Sequence, residues 1–341
     1  MKSQLSHRTR GFPVLRALCA VLLSACGGAA GKGTEAPAAL DLQGRIQARL
    51  DSLPNISSVY VKDLKTGREI AIRADVPMNT ASVIKMAVMI RAYRDAEAGK
   101  LDLNARHVVK PEEFRRGSGL VQTFAAGLNP TLRDLITQMI ITSDNTATDI
   151  MIATVGRERV NGMLDSLGYK ATRLHMTTGD LFKWIWVLSD SANTRMTMRE
   201  VFERGFPTDA GGEARIFKVA EDSAYWLGTM TARETGKILE DLETGKLANA
   251  ANTTEMRNNL LQQFYSSRLP QRLAFSGAGI GHKTGDIPPV LGNDVGIIYA
   301  PNGPIVISVF TNLNRGDFFN VESAIGNIAK DVAVEWGGVK P

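Results

Sequence analysis

The sequence predicts a mixed α/β fold of the α+β type, on three observations. A run with apolar residues at helical spacing and an alternating hairpin stand near its start, three strand-like runs and an amphipathic helix stand near its end, and the long stretch between has mostly helical signals. The economical arrangement pairs both ends in one antiparallel sheet flanked by terminal helices, with the helical middle as a second lobe. A site is then expected in the cleft between the lobes. With 341 residues and 44% hydrophobic content, the chain is long enough to bury such a core.

Residues 1–25 open with Lys2, Arg8, Arg10 and Arg16 and contain no acid, so they account for most of the net charge of +5 and leave +1 for the rest. A near-neutral body gives no electrostatic case for nucleic acid. The run "FPVLRALCAVLLSA" is too short to span a bilayer and reads as a secretory signal peptide. It ends in "LSAC", which resembles the lipobox of bacterial lipoproteins. The resemblance implies that Cys26 is lipidated and becomes the mature N-terminus. Cys19 lies inside the apolar run, so the mature domain has no cysteine that could form a disulfide within it. Residues 26–39 are expected to be the lipidated cysteine and a flexible tether. The protein is expected to be exported, anchored to a membrane by its N-terminal lipid, and to face the periplasm or the cell exterior as a monomer.

The folded domain is expected over 40–341, with a sheet lobe from 40–80 and 275–341 and a helical lobe from 81–274. "LDLQGRIQARLDSLP" is a helix closed by Pro54, and "SSVYVKDLKTGREIAIRAD" is a hairpin turning at Thr66-Gly67. "NTASVIKMAVMI" begins a helix that is apolar on every face, with Ser82 near its first turn and Lys85 among the apolar neighbours. "TLRDLITQMIITSDNTATDIMIATVG" gives two helices broken at Ser143-Asp144-Asn145, because Asp and Asn favour caps. "GIGHKTGDIPP", "DVGIIYAPNG" and "PIVISVFTN" are strands, and "NVESAIGNIAKDVAVEW" is the final helix.

A buried ammonium is costly unless it has a task or a partner. Residues three apart on a helix share a face, so Lys85 can point toward the Ser82 hydroxyl. A lysine acts as base for a serine only when burial or a nearby cation lowers its pKa; the apolar helix offers the burial and Lys283 the cation. Ser143 is a candidate proton relay to a leaving nitrogen, and Asn145 a candidate to orient Lys85 and a substrate amide. Thr284 and Gly285, on a strand, can hold a carboxylate and an extended backbone, and the Ser82 N–H can stabilise an oxyanion. Together these residues describe acyl transfer through an acyl-serine. Ser-x-x-Lys, Ser-Asp-Asn or Lys-Thr-Gly alone carries little weight, and a second Lys-Thr-Gly at 65–67 is a hairpin turn. The three in this order, on a helix, a helix boundary and a strand, are far more specific.

That triple is the set found in class A β-lactamases and penicillin-binding proteins, and from about residue 41 to 341 the chain resembles a class A β-lactamase-type serine hydrolase. The resemblance extends to "GSGLVQ" at 117–122. It implies an antiparallel five-stranded sheet with terminal helices plus an all-helical lobe, with no cofactor. It further implies Ser82 as nucleophile, Lys85 as base, Ser143, Asn145 and Lys283 in the remaining catalytic motifs, Thr284 and Gly285 on substrate, and an oxyanion hole from the N–H groups of Ser82 and Asp286. The substrate is then a β-lactam or, in a penicillin-binding peptidase, a D-Ala-D-Ala-type peptide.

The chain departs from that family where a glutamate should activate the deacylating water. Residues 173–228 form a longer, altered segment whose first part contains no glutamate and has Asp180 as its closest acid. Glu200, Glu203, Asp209, Glu213, Glu221 and Asp222 follow, and each is expected to be a solvated surface acid. The strand arginine common in the family is also missing, which leaves Arg315 as a candidate for a substrate carboxylate. Without a water-activating base an acyl-enzyme persists, so a slow β-lactamase and a D,D-peptidase are both open, as is a non-catalytic peptidoglycan-binding lipoprotein. Four histidines without HExxH, and the lack of GxSxG, disfavour a metallohydrolase and an α/β-hydrolase. His282 is expected to be a strand residue with a satisfied hydrogen bond.

Overall fold

The N-terminal hairpin and the last strand of the chain lie side by side in one sheet. The computed structural model describes Leu40–Lys340; the expected signal peptide, the expected lipidation site Cys26 and the expected tether lie outside the described residues. Helix α1 (Leu42–Asp51) is capped by the Asp41 carboxylate, which accepts the Gly44 N–H at 2.7 Å, and it buries Leu42, Ile46 and Leu50 at i, i+4, i+8 spacing. Strands β1 (Ile56–Asp63) and β2 (Glu69–Ile72) form the expected hairpin, where Gly67 takes φ +77°. A two-residue strand β3 (Met78–Asn79) leads into α2 (Lys85–Glu97).

The helical middle contains α3 (Leu132–Ile141), α4 (Asn145–Val155), α5 (Arg157–Ser166), α6 (Thr178–Val187), α7 (Met198–Arg204), α8 (Gly212–Glu221), α9 (Ala232–Glu243) and α10 (Ala250–Leu261). Two short strands, β4 (Arg173–Leu174) and β5 (Gly228–Met230), pair with β3 in the order β3-β5-β4. The helical lobe therefore carries a small sheet that the sequence does not announce, since two or three residues are too few to show a period. Strands β6 (Gly279–Ile287), β7 (Leu291–Ala300) and β8 (Gly303–Asn312), then α11 (Phe318–Glu335), complete the chain.

The large sheet is five-stranded, antiparallel and ordered β2-β1-β8-β7-β6. Alternation along its strands sends side chains to two cores. Val59, Val61, Ile305, Ile307 and Val309 join Ile46 and Leu50 of α1 and Ile325 and Ile328 of α11 on one face. Tyr60, Val306 and Phe310 face the other way and merge with α9 and the buried α2 in a core that runs through the helical lobe. Strand β6, at the sheet edge, lies against the turn that precedes α2. Among the described residues no helix is long and apolar enough to cross a membrane, and no cluster of His, Cys, Asp and Glu could hold a metal ion.

Candidate active site

Ser82 lies in a 3-10 turn, Ala81–Ile84, and the α-helix starts at Lys85. Ser82 thus sits in a tighter turn than the α-helical first turn expected from the sequence. The preceding Ala81 holds φ +41°, a left-handed conformation unusual for alanine, and it lines the same cavity as Ser82. Ser82 is half-buried, and its N–H, at the second position of the turn, has no intrahelical acceptor.

Lys85 is completely buried, at 0% exposure. Its amine donates to the Ser143 carbonyl at 2.6 Å, to Asn145 Oδ1 at 2.8 Å and to Ser143 Oγ at 3.3 Å. None of these hydrogen bonds goes to the Ser82 hydroxyl, the partner expected from helical spacing. Such bonds commonly tighten only when substrate is present. Burial, then the neighbouring Lys283 charge, pushes the Lys85 pKa well below the ordinary 10.5.

Ser143 closes the link between α3 and α4 with φ +55°, and Asp144 caps α4 by accepting the Ala147 N–H at 2.8 Å and the Val121 N–H at 2.7 Å. Loop 117–122 folds over this boundary because Gly119, at φ +104°, has no side chain: a Cβ there would come within 2.3 Å of Asp144 Cα. Ser118 Oγ donates to the Ser143 carbonyl at 2.7 Å, and Asn145 Nδ2 donates to the Arg116 carbonyl at 2.8 Å.

From β6, the buried Lys283 donates to Ser143 Oγ at 3.0 Å and to the Thr284 carbonyl at 2.8 Å. Burial drops its pKa to about 7. A Cβ on Gly285 would meet the Thr80 carbonyl oxygen at 2.3 Å, so glycine is what lets the strand approach the Ser82 turn. Thr284 Oγ1 is buried without a hydrogen-bond partner. His282 binds Asp294 at 2.8 Å through Nδ1, outside the lysine–serine cluster.

A cavity of about 580 Å3 has Ser82, Ser118, Asn145 and Asp286 in its wall. Asp180 does not reach it; its carboxylate caps α6 by accepting the Thr177 N–H and hydroxyl at 3.2 and 2.7 Å. The Thr-x-x-Asp spacing of a capping box was the sequence signal for that. Glu200, Glu203, Asp209, Glu213 and Glu221 are exposed, and Asp222 caps a short turn and pairs with Lys218. None of these acids lines the cavity.

The polar side chain that 173–228 does contribute is Thr178, whose hydroxyl donates to Asp149 at 2.8 Å. Asp149 is buried, accepts the Thr178 and Gly179 N–H groups at 2.7 and 2.9 Å, and pairs with Arg115 at 2.6 Å. It lies one turn after Asn145, a spacing legible in sequence, but its partners are remote. Arg315 stacks over Phe217 at 4.2 Å, whereas Arg268, 3% exposed, lines the cavity and pairs with Asp286 and, at 3.6 Å, with Glu322. Arg268, not Arg315, is the arginine in the cavity wall, carried there by the 262–278 connection between α10 and β6, which has no periodic signature.

The arrangement can support proton transfer between a serine and a neutral lysine, with a second serine held between two lysines. The model of the beta-lactamase enzyme family matches residues 41–336. A beta-lactamase of Streptomyces lavendulae is 25% identical over 266 residues, covering 76% of this chain and 74% of that protein. The crystal structure of a beta-lactamase from Sphaerobacter thermophilus superposes with a TM-score of 0.70 at 24% identity, over 88% of this chain and 98% of the other. PBP-A matches with a TM-score of 0.68 at 20% identity, over 87% and 96%; a mutant of PBP-A, solved as its acyl-enzyme complex with penicillin G, matches with 0.69 at 20%, over 87% and 97%.

Proposed function

The chain belongs to the beta-lactamase enzyme family and is a serine hydrolase of the β-lactamase class, and from that premise we propose that it opens β-lactams through an acyl-Ser82 intermediate which it releases slowly. The observation that carries this reading is the buried Lys85 amine, bound to Ser143 and Asn145 while Lys283 binds the same Ser143 hydroxyl. Neutral Lys85 takes the Ser82 proton as Oγ attacks the lactam carbonyl. The oxyanion is stabilised by the N–H groups of Ser82 and Asp286. As the C–N bond breaks, Ser143 hands its proton to the leaving nitrogen and is reprotonated through the lysines on either side. Thr284 and Gly285 hold the substrate along β6.

Release is slow because no acid of 173–228 lines the cavity, the two acids that do, Asp286 and Glu322, are paired with Arg268, and Thr178 has given its hydroxyl to Asp149. The same observation supports a second reading, a penicillin-binding D,D-peptidase acting on D-Ala-D-Ala-type stem peptides. Chromogenic cephalosporin turnover tests the first reading. The expectation is measurable hydrolysis, well below the roughly 1–1000 s−1 of ordinary enzymes, that vanishes in Ser82→Ala. Adduct formation with no turnover, together with release of D-Ala from a stem peptide, selects the peptidase.

The lipobox-like "LSAC" and the small-residue stretch after it support a lipid anchor at Cys26 and an exported, membrane-tethered, monomeric enzyme. Radiolabelled palmitate incorporation that is lost in Cys26→Ser tests the anchor.

A further inference from the structure

The turn that carries Ser82 is held by three asparagines that take no part in the steps above. Asn79 ends β3, Asn293 lies on β7 and Asn312 ends β8, and all three side chains are buried. A buried amide is costly unless its donors and acceptor are met, and these three serve one another and the backbone leading into Ser82. The Thr311 N–H can only donate, and it meets Asn293 Oδ1 at 3.0 Å. The amide is thereby oriented with Nδ2 toward the turn, where it donates to the Asn79 carbonyl at 2.9 Å and to the Thr80 carbonyl at 3.2 Å. Asn312 brackets Asn79 from another side, accepting its N–H at 2.8 Å and donating to its carbonyl at 3.3 Å. Asn79 Oδ1 in turn accepts the N–H of Ala81 at 3.1 Å, the residue held at φ +41°. A left-handed alanine persists only where surrounding contacts impose it.

Asn293 has a second relation to the site. In the β6–β7 register it lies opposite Gly285. The Thr80 carbonyl oxygen that it binds is also the atom that a Cβ on Gly285 would meet at 2.3 Å. One side chain therefore ties the turn bearing the Ser82 N–H to the strand pair bearing the Asp286 N–H. We propose that Asn293 is a positioning residue that sets the spacing of those two N–H groups, with Asn79 and Asn312 fixing the turn. This inference rests on the acyl-Ser82 reading. Two donors stabilise an oxyanion only where both reach the place it will occupy, and a misplacement of about 1 Å caused far from the chemistry can cost about 100-fold.

The test compares wild type with Asn293→Leu, a side chain of similar size without a donor. Rapid-quench intact mass with benzylpenicillin gives the maximal acylation rate constant and the pre-acylation dissociation constant separately. Infrared spectroscopy with a carbon-13 label at the lactam carbonyl reads the hydrogen bonding of the acyl group on Ser82. The expected result is a maximal rate about 100-fold lower, an unchanged dissociation constant, and an acyl carbonyl band moved to higher frequency. A purely structural role would lower the melting temperature and leave the band in place. Asn312→Ala, which loosens Asn79 and leaves Asn293 intact, is the second variant and should move rate and band in the same direction. A wild-type rate and an unmoved band in Asn293→Leu, or in Asn312→Ala if the first variant does not fold, overturns the positioning role alone. No adduct in wild type overturns the acyl-Ser82 reading, and the positioning role with it.

Discussion

Lys85 shows how burial becomes reactivity. An ammonium at 0% exposure is desolvated on all sides, and Lys283 adds like-charge repulsion, so the neutral amine is favoured and can act as a base. Acylation should then rise with pH and level off well below 10.5; a rate still climbing there would contradict the role. Lys85→Ala should lower the acylation rate constant by about 10²–10⁴-fold. Lys283 offers a stability test with a definite sign. Its folded pKa of about 7 lies below the ordinary 10.5, so between these values the unfolded chain binds more protons and native stability rises with pH. Below about 7 the cost of burying the charge is complete. Lys283→Met should therefore raise the melting temperature most near pH 6, with a gain that shrinks toward pH 10.5, while acylation falls. Thermal melts across that range check it. At this scale, the sequence revealed the residues clustered in short motifs. Asp149, Thr178 and Arg268 were not legible, because each takes its meaning from partners brought up by the fold from elsewhere in the chain.

The start of α6 is where the altered segment brings a polar side chain to the cavity. Its first N–H groups point at Asp149, an anion at the positive end of a helix, and Asp149 is held in turn by Arg115. Removing one partner of such a buried pair strands the other, so Asp149→Ala should cost about 3–5 kcal/mol in urea unfolding. Thr178 stands on that first turn, facing the cavity. Thr178→Glu places a carboxylate where the segment otherwise offers none, and should shorten the adduct lifetime at least tenfold, within the range of general-base assistance. An unchanged lifetime in a folded variant would show that water access limits release. The long strands and helices of the sheet were readable from their periodicity, as was the break at Ser143-Asp144-Asn145. The 3-10 turn at Ser82 and the small sheet β3-β5-β4 were not, since both are shorter than one reading window and are imposed by the packing of β6 and 173–228.

Across the whole molecule, the sheet edge and the helical core bring Ser82, Ser143 and Lys283 together from three distant stretches of the chain. Forming the acyl-enzyme uses groups on all three. The segment 173–228 supplies Thr178 and an apolar wall but no acid, and the two acids that do line the cavity, Asp286 and Glu322, are paired with Arg268. The enzyme should be fast in its first half-reaction and slow in its second. Intact-mass measurement of the protein mixed with benzylpenicillin, followed over time in wild type and Ser82→Ala, tests this most directly. The predicted result is a single adduct of one penicillin mass in wild type, mapped to the Ser82 peptide, that forms faster than it disappears, with none in Ser82→Ala. No adduct in wild type, or an undiminished adduct in the variant, would contradict it.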